Sequence, residues 1–340
     1  MADEITVAVV LNRKEAIPDD PDDRATEYLS DHEANELIVG FREAGFRTRY
    51  YEGEHAFVSA VMDQGGKIGA AGRSIVYNLA QSGTGPGRKS MIPAFCALND
   101  IPTCNSNAYA VSLVRHKLHV HALLRRFELP TPDTWSFTAH SGWLMGQAPP
   151  KGEILIAKAA YEAASVGLDQ ESVGVLSATY ERMLAAKSSS LGQPMVVQRL
   201  ISGREFETPV VEIDGRFRAL GPVGITLDGD DRLDDRILAY DSVAHDGYGF
   251  APGTVEAPLG GRLRTAAAKT CEVLGVNGFA RVDFRVPDNG DARVIDVATS
   301  PHVVHHSSYW ATFEHAGWSH PEMLACMIAV NGNRLGWLET

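Results

Sequence analysis

Cysteine is scarce: the chain has 340 residues and four cysteines, Cys96, Cys104, Cys271 and Cys326. None forms a close pair with metal or redox spacing, so they read as buried thiols in a reducing compartment rather than a disulfide framework. Basic excess is lacking too. The net charge is −12, a poor basis for nucleic-acid binding, which depends on neutralising phosphates. Small anionic ligands stay open, because a few placed Lys and Arg suffice for those. Long apolar runs are missing: the stretch 5–11 is too short for a signal or membrane helix, and Met1-Ala2-Asp3-Glu4 carries no basic lead. Internal repeats and low-complexity segments are absent. The expectation is a cytoplasmic protein without nucleic-acid or membrane partners.

What is present is an ordinary globular composition, 44% hydrophobic and 22% charged, enough for two or three domains. Residues 5–11 (ITVAVVL) read as a buried parallel strand. The Asp- and Pro-rich stretch 18–23 must be loop. Residues 33–43 read as a helix, 74–79 as a strand and 90–98 as a helix. This alternation predicts a doubly wound α/β N-terminal domain, 1–108. In a middle unit, 109–197, Val120, Leu123, Leu124 and Phe127 fall at helical spacing before Pro130 and Pro132. Strands are predicted at 153–159 and 195–201, with a helical segment at 173–187. The last unit, 198–340, reads as α+β. It has a hairpin of 206–213 with 216–220 about Asp214-Gly215, an acidic loop at 227–235, and a helical stripe from Leu263 to Leu274. Strands at 279–286 and 292–297 follow.

These last two strands carry the chemistry. Alternation puts Arg281 and Asp283 on one face, and Val294, Asp296 and Ala298 on one face of the next strand. Asn289-Gly290 signals a type I′ turn. A hairpin centred there sets Asp283 opposite Asp296 and Arg281 opposite Ala298. Opposed carboxylates repel. Arg281 or a divalent ion such as Mg²⁺ would offset them; alternatively both face water.

At this point Arg281-Val282-Asp283-Phe284, Asp296-Val297-Ala298-Thr299-Ser300-Pro301 and His306-Ser307 resemble the end of D-alanine–D-alanine ligases, of the ATP-grasp superfamily. Val76-Tyr77-Asn78, the run from Asn99 to Ser106, Lys158 with Glu162-Ala163-Ala164-Ser165-Val166-Gly167, and the run from Gln198 to Glu205 agree in order and spacing. The resemblance implies a three-domain ATP-grasp fold, ATP and Mg²⁺ as cofactors, and a carboxylate and an amine joined through an acyl phosphate. It implies Lys117 and Lys158 on the phosphates and Ser165 as a hydroxyl donor over them. Gln198, Arg199, Leu200 and Ile201 would serve the adenine, and Glu205 the ribose. Asp283 and Asp296 would hold metal, and Arg281 would face the oxyanion of the tetrahedral intermediate. A homodimer through the N-terminal domain is common in the family.

The departures fall on the substrate and metal side. The family's metal-binding Asn is Ala298, its Glu is the shorter Asp296, and its oxyanion Gly is His302. His302, His305 and His306 include a candidate base or ligand, or are simply buried and solvated histidines. The loop that normally brings a Lys to the γ-phosphate maps to 237–250, which has Tyr240, His245 and Tyr248 but no Lys or Arg. Glu27 is the nearest candidate for a substrate ammonium, Gln81 belongs to the second substrate loop, and Ser307 with Arg281 would suit the carboxylate of an amino-acid nucleophile. The expectation is a ligase of small molecules other than D-alanine, from secondary metabolism, intramolecular closure included. A catalytically degenerate ATP-binding protein is the alternative; a histidine-based hydrolase lacks supporting spacing.

Overall fold

The computed structural model describes residues 5–16, 24–68, 72–245 and 247–337; the expected loop at 18–23 lies outside them. The first sheet has β1 (Ile5–Leu11) between β2 (Arg47–Glu52) and β3 (Arg73–Asn78), all parallel. Every residue of β1 is buried, because both faces are covered. Val7, Val9 and Leu11 meet α1 (Asp31–Glu43), while Ala8 and Val10 face α2 (Gly53–Asp63) and α3 (Met91–Leu98). Helices on both faces are the doubly wound arrangement the sequence predicts.

The long helical pattern that the sequence carries from after Ala110 up to Pro130 is interrupted: α4 (Ala108–Arg115) and α5 (Lys117–Arg126) are separated at His116. Residues two apart on one helix point in different directions. The non-helical backbone at His116 (φ −99°, ψ 89°) lets Arg115 and Lys117 both turn into one cleft.

The second sheet is antiparallel, in the order β5-β4-β8-β6-β7. It contains β4 (Thr134–Thr138), β5 (Gly142–Trp143), β6 (Ile154–Ala159), β7 (Val173–Val175) and β8 (Met195–Arg199). The helix expected at 173–187 is corrected: Val173–Val175 is strand, and α6 (Ala178–Leu191) begins only after Ser177, whose side chain accepts from the Tyr180 N–H. Pairing to Ile154–Ile156 on β6 holds this apolar stretch extended.

The third sheet runs β12-β11-β9-β13-β14, with β10 also on β9. Its members are β9 (Arg204–Ile213), β10 (Arg216–Ala219), β11 (Val223–Leu227), β12 (Tyr248–Pro252), β13 (Phe279–Val286) and β14 (Arg293–Ala298); α7 (Tyr240–Ala244) and α8 (Ala257–Leu274) intervene. Leu263, Ala267, Cys271 and Leu274 of α8 pack on Val210, Ala280, Val282 and Phe284. The closing helices α9 (Ser308–His315) and α10 (His320–Arg334) return to the first sheet, where Tyr309, Met323, Leu324 and Met327 share a core with Leu37, Phe41 and Tyr77. Among the described residues no helix is long and apolar enough to cross a membrane.

Candidate active site

The Asp pair sits where the sequence puts it, by a different route. Asp283 faces Asp296 and Arg281 faces Ala298. Nearer the turn, however, the pairs are Phe284 with Val294 and Arg285 with Arg293, one residue out of the expected register. The Gly290 N–H donates to the Pro287 carbonyl at 2.8 Å, and a bulge that leaves Ile295 unpaired restores the register at Asp283. The bulge also corrects the expected face. Val294 enters the core with Val282 and Phe284, while Asp296 turns to the cleft.

Charge around the pair is unevenly balanced. Arg281 donates twice to Asp283, at 2.8 Å each, and lies 3.3 Å from Glu207. Glu207, on β9 opposite Asp283, is a third carboxylate and is buried like Asp283, whereas Asp296 is half-buried. Burial, with Glu207 and Asp296 adding to it, pushes Asp283 up to about 7 despite Arg281. Burial also opposes the charge on Asp296, but Lys117 (3.9 Å away) and Lys158 hold its pKa below the usual range. A site with this many carboxylates facing one cleft fits a divalent cation with oxygen ligands.

Lys117, Lys158, Gln198, Arg199, Leu200, Ile201 and Glu205 all border the same cleft. Lys117 donates to the Glu162 carbonyl. The Lys158 ammonium has no hydrogen bond or ion pair among the described residues; burial, Lys117 and Arg285 push its pKa down against Asp296 and Glu205. Arg199 turns its side chain outward to Glu153 (2.6 Å) and Asp133 (3.1 Å), so it offers the cleft its backbone. Gln198 is buried against His121, 3.3 Å away. Glu205 is held by Arg285 at 2.8 Å. Ser165 lies in a turn where Ala164 and Ser165 both have left-handed backbone (φ 46° and 56°), and its hydroxyl donates to the Leu238 carbonyl at 2.6 Å. That bond ties the turn to the 237–250 loop.

The other end of the cleft differs most from expectation. Glu27, on the turn Arg24–Glu27, accepts from Arg115 at 3.0–3.1 Å and from the Ala163 N–H, and forms an ion pair with Arg88 at 3.1 Å. Burial alone would raise its pKa; Arg115, Arg88 and Lys89 outweigh this and hold it at about 2. Arg88 also meets Glu162 at 2.6 Å, making a buried cluster of two guanidinium groups and two carboxylates. Gln81 lines this end and donates to the Glu27 carbonyl at 3.0 Å. His302 is here too, and burial with Lys89, Arg281 and Lys14 lowers it to about 4. His306 lines the cleft against Tyr248, whereas His305 lies apart, 2.8 Å from Glu36. Ser307 is not in the cleft lining: it caps α9, accepting from Trp310 N–H (3.1 Å) and donating to the Val304 carbonyl (2.6 Å). The sequence reading missed Arg88, Lys89, Arg115, Glu207 and Arg285. Glu207 had a signal, since alternation from Glu205 places it on the same strand face. The others depend on chain crossings that no local pattern encodes.

Comparison with known proteins bears on the family and the fold. The family described as "D-ala D-ala ligase C-terminus" matches residues 150–329, just over half the chain. The D-alanine–D-alanine ligase of Ectopseudomonas mendocina is 27% identical over 67% of this chain and 69% of its own. That of Stutzerimonas stutzeri is 28% identical over 61% and 62%; the alignment thus spans less than two thirds of that relative. In three dimensions, the Bacillus anthracis D-alanine–D-alanine ligase complexed with ATP superposes with TM-score 0.72 at 16% identity, covering 96% of this chain and 97% of the other. The Enterococcus faecalis VanG D-Ala:D-Ser ligase gives 0.69 at 16% identity, covering 96% and 99%. The chain belongs to the D-alanine–D-alanine ligase family, ATP-grasp enzymes that form carbon–nitrogen bonds with ATP and Mg²⁺ and release ADP.

Proposed function

We propose that this enzyme joins a small carboxylate or amino acid other than D-alanine to an amine. The opposed Asp283 and Asp296, flanked by Lys117, Lys158 and Arg281, carry the reading. Phosphoryl transfer needs positioning and charge neutralisation more than covalent work by the protein. Asp283 and Asp296 would hold Mg²⁺, which neutralises phosphate oxygens when bound. Lys117 and Lys158 bind and orient the phosphates of ATP, Gln198 to Ile201 the adenine, and Glu205 the ribose. The carboxylate takes the γ-phosphoryl group to give an acyl phosphate and ADP; the amine then attacks the acyl carbon, and phosphate leaves. Arg281 stabilises the negative charge on the tetrahedral intermediate. Neutral His302 is available to accept the proton that the amine loses.

A substrate other than D-alanine is supported by Glu27, whose oxygens are committed to Arg115, Arg88 and Ala163, and by Ser307, committed to α9. We read the chain as three units, 1–108, 109–197 and 198–340, with the reaction in the cleft they border. Loss of the metal-binding Asn at Ala298 favours one other reading, a nucleotide binder without turnover. Phosphate release from Mg²⁺ and ATP, screened over pairs of amino acids and carboxylates, separates the two. The ligase reading predicts ADP only when both partners are present; ATP binding with no stimulated pair would leave the binder.

A further inference from the structure

Three lysines bordering the cleft, Lys14, Lys89 and Lys158, have no hydrogen bond or ion pair from the ammonium among the described residues, and Lys14 is offset by the charge of Glu33. Lys158 at one end is accounted for by the phosphates of ATP. Lys89 at the other end is not: its ammonium makes no hydrogen bond or ion pair among the described residues, though it borders the cleft. Its acidic neighbours are already engaged. Glu27 is filled by Arg115, Arg88 and the Ala163 N–H; Glu162 takes Arg88 at 2.6 Å and Gln193 at 2.7 Å. Glu33 accepts from the Ser30 N–H and hydroxyl, both at 2.7 Å. The two guanidinium groups and two carboxylates of the cluster balance, and Lys14 and Glu33 offset each other at the same end, so Lys89 adds an uncompensated positive charge, with Arg281 and His302 facing the same space.

We propose that Lys89 recognises a substrate carboxylate that is not the one being phosphorylated, so that this end of the cleft selects an anionic group where an ammonium would otherwise sit. Lys89 is half-buried; an unpaired charge drawn partly out of water is costly, and a ligand of opposite sign is the ordinary way to offset it. Burial, Arg115, Arg88 and Arg281 push the Lys89 ammonium down to about 7, against Glu27. A bound carboxylate would restore the charge. The carboxylate belongs either to the acyl donor, making it a dicarboxylic acid, or to the amine. The proposal rests on the ligase reading for the identity of the cleft, but its test uses binding, not turnover.

The enzyme loaded with Mg²⁺ and a non-hydrolysable ATP analogue is titrated calorimetrically with succinate, propionate, D-alanine, 4-aminobutyrate and inorganic phosphate. Succinate should bind about tenfold or more tighter than propionate, a gap of roughly 1.4 kcal/mol. Lys89→Gln should erase that advantage, Lys89→Arg should keep most of it, and nucleotide affinity should stay within about twofold in both. A Lys89-dependent advantage for 4-aminobutyrate with none for succinate assigns the carboxylate to the amine partner. Equal affinity for succinate, 4-aminobutyrate and propionate, or tight D-alanine binding indifferent to Lys89→Gln, overturns the proposal. So does a loss confined to phosphate or nucleotide, which would make Lys89 a phosphoryl ligand. Lys89-dependent succinate binding without stimulated ADP release from any substrate pair would instead overturn only the ligase reading.

Discussion

At the scale of single residues the cleft is a set of charges, some paired and some left open. Asp283 has Arg281 on both oxygens yet is still pushed up to about 7 by burial and by the carboxylates of Glu207 and Asp296. A bound cation would reverse that balance. Asp283→Asn should therefore abolish turnover with little loss of folding, as read by ADP release beside a thermal melt; unchanged activity would remove the metal assignment. Ala298→Asn, which returns the family's ligand opposite Arg281, should lower the Mg²⁺ concentration needed for half-maximal rate. An unchanged Mg²⁺ dependence would count against a lost ligand. Glu27 behaves oppositely to Asp283. Its folded pKa of about 2 lies below the unfolded carboxylate value of roughly 4.3. Its contribution to stability is present above that unfolded value and is lost as pH falls through about 2. Glu27→Gln should cost about 3 kcal/mol at neutral pH by leaving Arg115 and Arg88 under-compensated. In urea melts the variant should also show a shallower loss of stability between about pH 4 and pH 2.

Among elements, the hairpin of β13 and β14 positions the carboxylates, and β9 joins it to the nucleotide side. Gly203, just before β9, has φ 132°, and a Cβ there would lie 2.2 Å from the Val286 carbonyl oxygen. Gly203→Ala should destabilise the fold by about 2 kcal/mol or more and disturb Glu205 and its Arg285 partner; a melt unchanged from the parent would contradict that packing. The strands β1, β3, β6, β8, β9 and β13 were legible because their apolar runs or alternation are local. The bulge at Ile295 was not. It left the predicted pairing of Asp283 with Asp296 correct while the turn beside it was out of step, because the extra residue compensates a shift that alternation cannot see. The break at His116 was hidden for a related reason: the apolar spacing runs on through α5, and only tertiary contacts of Arg115 and Lys117 demand the change in direction. On the substrate side, the sequence offers Glu27 as a ligand for a substrate ammonium, whereas in the structure it is buried against arginines. Its partners Arg88 and Arg115 come from segments 61 and 88 residues away, where sequence order carries no information about contact.

Across the whole molecule, the returning helices α9 and α10 bind the third sheet's end of the chain to the first sheet. Leu324 is fully buried in the core it shares with Leu37 and Phe41. Leu324→Ala should cost about 2–5 kcal/mol and lower the melt of the whole chain as one transition. A separate early transition would show that the first sheet unfolds independently. The cleft lies among all three sheets, so its ligands should add stability to the same transition. The central claim is that Asp283 and Asp296 together hold a divalent ion beside nucleotide phosphates. Titration of Mn²⁺ into the enzyme with ADP, followed by electron paramagnetic resonance, tests it without knowledge of the substrate. The account predicts a bound Mn²⁺ signal that requires ADP and weakens about tenfold or more in both Asp283→Asn and Asp296→Asn. Mn²⁺ binding that is unchanged in both variants would contradict it.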